Sequence, residues 1–485
     1  MDIREYGSQA EAFLASLNEE YYRYGCGLKG DLELNPIYQR HCQLFDVDTV
    51  RALVDGRQSR EGRYLAQFGA AGFVESQLRE ITERIAAAES SATIEWDGQA
   101  VPYLSAGLIE SNEPDRARRR ELDQRIARVT ERLITDGERR LLESHRATAE
   151  LMFDDYVTMS DELGGLRLAS LRESMQLLLT QTASIYRELL ERRLRAAGVE
   201  LEEATSGDFS FIRRGTRFDS AFPKERLVLA LETTLAGLGI VLADQSCVSL
   251  DLEERPLKSP RAFCAPVWVP NDVRLAVRPR GGHEDYLSLF HEAGHLEHFA
   301  HTNPDAPVAF RCLGDTSVTE AYAFLFDKLP RTPEWVRAIM DDVQAADYLS
   351  LSRLIDLYYV RRTAAKLTYE LDLHRSNKLD GMRDRYRDLL GAALGLRVRP
   401  ENFLRDVDDF FYCAHYLRAW MLEVQLRRRL IEQFGRRWFA SPKAGEFLRN
   451  LWSLGQTFTA DELALRLGYQ GLGVEPLVAD LLSPV

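Results

Sequence analysis

Cysteine is scarce in this 485-residue chain, with six scattered through it and no C-x-x-C spacing. Cys26, Cys42, Cys247, Cys264, Cys312 and Cys413 therefore read as free thiols of a reducing compartment, not as a disulfide framework. Long apolar runs are missing too. The most apolar stretch, Leu227 to Ala243, carries Glu232 inside it and falls short of a membrane span. The N-terminus, MDIREYGSQAEAFLASLNEEYYRYG, lacks a basic segment followed by an apolar one, so it does not read as a signal peptide. Basic charge is in deficit: 62 Lys and Arg against 75 Asp and Glu leave −13, with a pI near 5.4. Such a surface repels phosphate backbones and anionic lipid, so neither nucleic acid nor membrane is an expected partner, and the cytoplasm is the expected location. No fixed-period repeat or low-complexity tract is evident.

What is present is mostly helix. Apolar residues such as Leu122, Ile126, Val129 and Leu133 recur at helical spacing within Asn112 to Met152. Asp161 to Ala197, Tyr348 to Leu373 and Asp409 to Phe434 read the same way. Strand signals are few. Ala92 to Tyr103 holds two short runs joined by Asp97-Gly98, a hairpin turn. Cys247 to Leu252 alternates as a strand does, and so does Ala265 to Val277, with a turn at Pro270-Asn271-Asp272. Gly, Ser and Asp interrupt the helices near Ser206 to Thr216, which suggests a boundary. The expected organisation is a helical N-terminal region, 1–205, followed by a catalytic region, 206–485, in which a small sheet precedes more helices.

Histidine is distributed unevenly: five of the nine lie between His283 and His301. Among them is His291-Glu292-Ala293-Gly294-His295, an H-E-x-x-H motif. Positions i and i+4 of a helix share a face, so both imidazoles can point at one ion. Glu292 is placed to reach water at the ion instead of the ion itself. In a chain with nine histidines the odds of this pattern arising by chance are on the order of 1%. Gly294 costs ~1 kcal/mol against Ala in a helix interior, which implies a neighbour too close for a side chain.

A catalytic zinc usually has three protein ligands, the third being His, Asp or Glu. His298 and His301 are not ten residues beyond His291, so a three-histidine pattern is absent. Downstream stands Thr316-Ser-Val-Thr-Glu320-Ala-Tyr-Ala-Phe-Leu-Phe-Asp327. Glu320, 25 residues after His295, allows one loop and a returning helix. Taken alone, Glu320 reads equally as a first-turn acid favoured by the helix dipole, and Asp327 as a surface acid.

These residues resemble the M3 family of zinc metallopeptidases, the thimet oligopeptidase and oligoendopeptidase F group. HEAGHLEH followed by TEAYAFLFD is similar to that family's H-E-x-G-H-x-x-H and its ligand Glu within E-x-x-S/A. Lys258-Ser-Pro-Arg261-Ala-Phe-Cys264-Ala-Pro266 resembles the family's K-R-x-x-A-F/Y-x-x-P segment, where an edge strand leads toward the metal helix. Asp409-Phe-Phe-Tyr412-Cys-Ala-His415-Tyr416-Leu-Arg418-Ala-Trp420 is similar to its F-Y-x-x-x-Y stretch. The resemblance spans roughly 206–485. The chain departs from the family at Asp406, where relatives carry a histidine on a glycine-containing loop.

The resemblance implies a mainly α, two-lobed zincin-type peptidase, with a small β-sheet beside the zinc helix and a deep central cleft. It implies one Zn²⁺ per chain held by His291, His295 and Glu320, with Glu292 as general base. Tyr416, and secondly Tyr412, would donate to the oxyanion, and short peptides would be the substrates. His415 could replace the missing histidine, though it points about 100° away from Tyr416 on a helix. Arg418 and Arg261 could hold a substrate carboxylate if the protein were instead a carboxypeptidase of the related M32 type. A third possibility is a zinc-containing peptide-binding protein with little turnover. Oligomeric state is left open.

Overall fold

The computed structural model describes all residues except 1, 260, 340–344, 377 and 484–485. Its fold is mainly helical, with five short strands in two sheets among the described residues. Toward the N-terminus, the long helices Arg60–Ser91 and Arg116–Glu150 pack against each other. Their starts are fixed by side-chain caps. Ser59 accepts from the Gly62 amide, and Asp115 accepts from the Ala117 and Arg118 amides. Each such cap contributes ~1 kcal/mol. Between these helices lies the hairpin of β1 (Thr93–Trp96) and β2 (Gln99–Pro102), turned at Asp97-Gly98 as expected.

Three expected elements come out differently. The span 161–197 is not one helix but the end of Tyr156–Gly164 followed by Leu168–Gln181 and Ala183–Ala196. Gly165 takes a left-handed conformation (φ 61°) that ends the first, a backbone state open to glycine at little cost. The supposed interruption at 206–216 contains a helix, Ser206–Arg214, opened by a Thr205–Asp208 capping box. The helix expected from Asp409 begins at Tyr412, because Phe410 and Phe411 both have positive φ (53° and 55°).

The second sheet has the order β3-β5-β4, with β3 (Val248–Asp251) parallel and β4 (Phe263–Trp268) antiparallel to β5 (Asp272–Ala276). Central β5 is the most buried of the three, as a strand flanked on both sides must be. β4 lies at the edge and packs on the helix His283–Ala300, which carries the H-E-x-x-H motif. That motif helix packs closely on Thr316–Asp327, which in turn packs on Tyr412–Phe434. Apolar residues of these elements, among them Leu289, Phe290, Val318, Leu325 and Leu422, form one large core. A second core joins N-terminal helices to residues such as Leu357 and Leu417. All six cysteines are free. Among the described residues no helix is long and apolar enough to cross a membrane.

Candidate metal centre

The motif helix turns His291 and His295 toward Glu320 of the neighbouring helix. Glu320 Oε2 lies 3.5 Å from His291 Nε2 and 3.7 Å from His295 Nε2. Two helices can approach this closely because of Gly294. A Cβ there would lie 2.5 Å from the Tyr322 carbonyl oxygen and 2.6 Å from Ala323 Cα. The missing side chain thus brings the helix of Glu320 up to the two histidines, as the cost of a helical glycine had implied.

Each imidazole is oriented from behind. His291 Nδ1 is 3.2 Å from Asp327 Oδ2, and His295 Nδ1 is 2.8 Å from Thr319 Oγ1. Such bonds fix the ring and leave Nε2 as the inward-facing nitrogen. Glu320 is fixed likewise: Tyr412 donates its hydroxyl proton to Glu320 Oε1 at 2.6 Å. The other oxygen, Oε2, is buried without a hydrogen-bond partner among the described residues. A buried oxygen left bare carries a cost of roughly 1–3 kcal/mol that a cation would remove.

Electrostatics agree. Burial lowers the pKa of His291, but Asp327, Glu320 and Glu292 outweigh it and raise the value to about 9. Burial and the neighbouring His291 hold His295 well below its usual range. At neutral pH His291 thus carries a proton beside Glu320 while His295 is neutral, and a cation entering among the three would take that proton's place. The donor set of two imidazole nitrogens and one carboxylate oxygen, all within 4.8 Å of one another, suits a divalent ion of the zinc type.

Glu292 points elsewhere, toward β4. Its Oε2 accepts the Cys264 amide proton at 2.9 Å, and burial pushes its pKa up to about 7 despite the opposing pull of His291. Tyr412 and Tyr416 share a helix face, with ring centres 5.0 Å apart. Tyr416 packs on Phe324, and among the described residues its hydroxyl makes no hydrogen bond. Burial, then the Glu320 and Glu292 carboxylates, raise its pKa.

Several assignments need correction. Glu320 is not a first-turn acid but sits in the second turn of its helix. Asp327 is no surface acid. It is buried, bonded to His291 and paired with Arg331. Arg418, weighed as a holder of a substrate carboxylate, is buried with its guanidinium on Asp315 (3.1 Å) and Asp461 (2.9 Å). Asp315 caps the Glu320 helix at Ser317, so Arg418 braces that helix and has no charge to offer a ligand. His415 also turns to this capping acid, its Nδ1 3.2 Å from Ser317 Oγ and 3.4 Å from Asp315 Oδ1. Asp406 is held by Arg362 (2.5 Å) and Tyr386 (2.7 Å). Arg261 is exposed ahead of β4, while Pro260 of the same segment lies outside the described residues. Thr319 had no distinguishing signal in the sequence beyond lying one residue before Glu320.

No family model and no curated protein sequence matches the chain. Among solved structures it resembles one described as a "putative oligoendopeptidase F" from Bacillus anthracis. The TM-score is 0.66 at 16% identity, over 97% of this chain and 88% of that one. At that identity the likeness is one of fold.

Proposed function

We propose that the protein is a zinc-dependent metallopeptidase that hydrolyses short peptides, with His291, His295 and Glu320 as the metal ligands. The bare Glu320 Oε2 facing two pre-oriented Nε2 atoms is the observation that carries this reading. Zn²⁺ held there supplies Lewis-acid polarisation of the scissile carbonyl and acidifies water at the site. Glu292 takes the proton from the attacking water. It stands one residue from the first ligand, and the Cys264 N–H steadies its carboxylate. The same carboxyl then delivers the proton to the leaving amine. Tyr416, whose hydroxyl has no partner among the described residues, donates to the oxygen on which charge develops. Tyr412 orients Glu320 instead, because its proton is already committed there. The oligoendopeptidase F-like fold supports peptides as the substrate class.

Zinc analysis combined with cleavage of an internally quenched peptide, tested with free and amidated C-termini, examines this reading. Equal cleavage of both forms is the outcome for an endo-acting oligopeptidase. Cleavage of the free form alone would make the protein a carboxypeptidase that uses a cation other than Arg418. Zinc bound without cleavage of either would leave a binding protein.

A further inference from the structure

Between the N-terminal helices and the metal centre lies a cavity of about 160 Å³. Its outer wall is built from Gln67, Ala70 and Ala71 of the helix Arg60–Ser91 and from Met159, Ser160, Leu163 and Gly164 of Tyr156–Gly164. Its inner wall is Phe410, Tyr412, His415 and Thr316. Tyr412 is shared with the metal centre, since it lines the cavity and its hydroxyl bonds Glu320. One side chain, Tyr412, therefore links the cavity to the candidate ligand Glu320.

We propose that this cavity is a specificity pocket for an uncharged, apolar substrate side chain of leucine to phenylalanine size beside the scissile bond. The inference rests on the peptidase reading above. Size supports it, since about 150 Å³ of apolar cavity is enough to hold benzene. Charge supports it too. The carboxylate on the wall, Asp409, takes both terminal nitrogens of Arg140 at 2.9 and 2.7 Å, and His415 turns its Nδ1 to Ser317 and Asp315. Among the described residues of the wall no unpaired charge faces an occupant, and the remaining polar groups, Gln67, Ser160 and Thr316, are neutral. The small residues of the outer wall also sort by role. In the run Gly69-Ala70-Ala71-Gly72 the two glycines admit Leu53, Tyr6 and Phe45, so packing of the N-terminal core explains them. Ala71 is half-buried and belongs to no core cluster, and a larger residue there would fill the cavity.

The test is a peptide series varied only at the residues flanking the cleaved bond, read with wild type, Ala71→Val and Ala71→Leu. Wild type should prefer Leu or Phe over Gly at one flanking position by about 10- to 100-fold in kcat/KM. The ratio should fall by about tenfold in Ala71→Leu and less in Ala71→Val, with zinc content and melting temperature unchanged. An unchanged ratio in a folded, zinc-loaded Ala71→Leu protein overturns the pocket. So does a wild type that cleaves with no preference at either position. Binding of N-acetyl-phenylalaninamide, followed by calorimetry, separates this inference from the peptidase reading. If no peptide is cleaved but wild type binds the amide and Ala71→Leu does not, the pocket stands and the peptidase reading falls. If neither protein binds it and no peptide is cleaved, both fall.

Discussion

Among the described residues two groups bring three metal-ligating side chains together, each with ligand atoms within 4.8 Å of one another: His291, His295 and Glu320, and Glu370, Asp408 and Cys413. By spacing alone they are equivalent, but their surroundings differ. In the second group Lys366 places its ammonium 2.7 Å from Asp408 and 3.7 Å from Glu370. The Cys413 thiol donates to Glu370 at 3.1 Å, and burial pushes the Glu370 carboxyl up to about 8. That group already has its cation, covalently attached to the chain, and its oxygens have partners. Around Glu320, among the described residues, no lysine or arginine takes that place, and Oε2 stays bare. Ligand proximity thus marks where negative charge gathers, and the kind of counter-charge separates the two groups: a lysine ammonium fixed to the chain in one, and in the other a His291 proton that an entering cation would displace.

The broadest way to break this comparison is to delete one member of each group. A structural zinc site is worth ~10–16 kcal/mol, so one of three ligands carries roughly 3–5 kcal/mol, or about 10²–10⁴ in affinity. With one ion per chain, as proposed, His291→Ala or His295→Ala should therefore strip the zinc. Cys413→Ser and Glu370→Gln should keep it in full. Zinc that survives the histidine changes but not the Glu370 change would reverse the assignment.

Much of this was legible in the residues, and what was illegible has a common cause. The two histidines sit on one helix face by periodicity alone. Glu320 stood out by its distance from them, and Gly294 by its cost. Hairpins and strands followed from turn chemistry. What escaped is contact between elements distant in the chain. Asp327 looked like an exposed acid until the fold carried it behind His291, and Arg418 looked available until Asp315 and Asp461 closed on it. The left-handed pair Phe410-Phe411 was unreadable because neither residue favours that conformation, and such positions are held by their surroundings. Here the pair sets the start of the helix that aims both tyrosines.

Glu292→Gln sharpens the comparison within the metal site by separating binding from turnover. The amide keeps size and polarity but cannot take a proton, so zinc should remain while kcat falls at least about 10²–10⁴-fold. The pH profile gives a second reading. Glu292 works deprotonated, so activity is lost as pH falls through its pKa. Burial holds that pKa near 7 without an ion, and a nearby cation stabilises the carboxylate and moves it down. The acid limb should therefore lie below pH 7 in the zinc-loaded protein and vanish in the variant. A limb unchanged by Glu292→Gln would assign it to another group.

Tyr416→Phe should have the next largest effect. It removes the tyrosine hydroxyl of the pair that has no partner among the described residues, leaving the ring on Phe324 in place. A donor that acts only in the transition state affects kcat with KM nearly fixed, and one such donor is worth about 10²–10³. Zinc affinity should not change. Loss of activity through KM alone would place Tyr416 in ground-state binding.

The smallest effect, and the sharpest division between the two tyrosines, belongs to Tyr412→Phe. Its hydroxyl holds Glu320 Oε1 at 2.6 Å, so removing it frees a ligand carboxylate to rotate. Second-layer contacts of this kind typically contribute 10–100-fold to metal affinity, and zinc binding should weaken by about that factor. The loss should be measurable by competition with a chelator, with no peptide present. Both proteins should also bind zinc more weakly as pH falls. His291 holds a proton below about 9 in the ion-free site, and that proton must leave when the ion enters. One displaced proton gives roughly a tenfold loss per pH unit. Because Tyr412 does not join in that exchange, the two affinity curves should run parallel across pH, offset by the cost of the lost hydroxyl. Curves that coincide would return Tyr412 to the oxyanion role beside Tyr416, and curves that converge would tie its proton to that of His291.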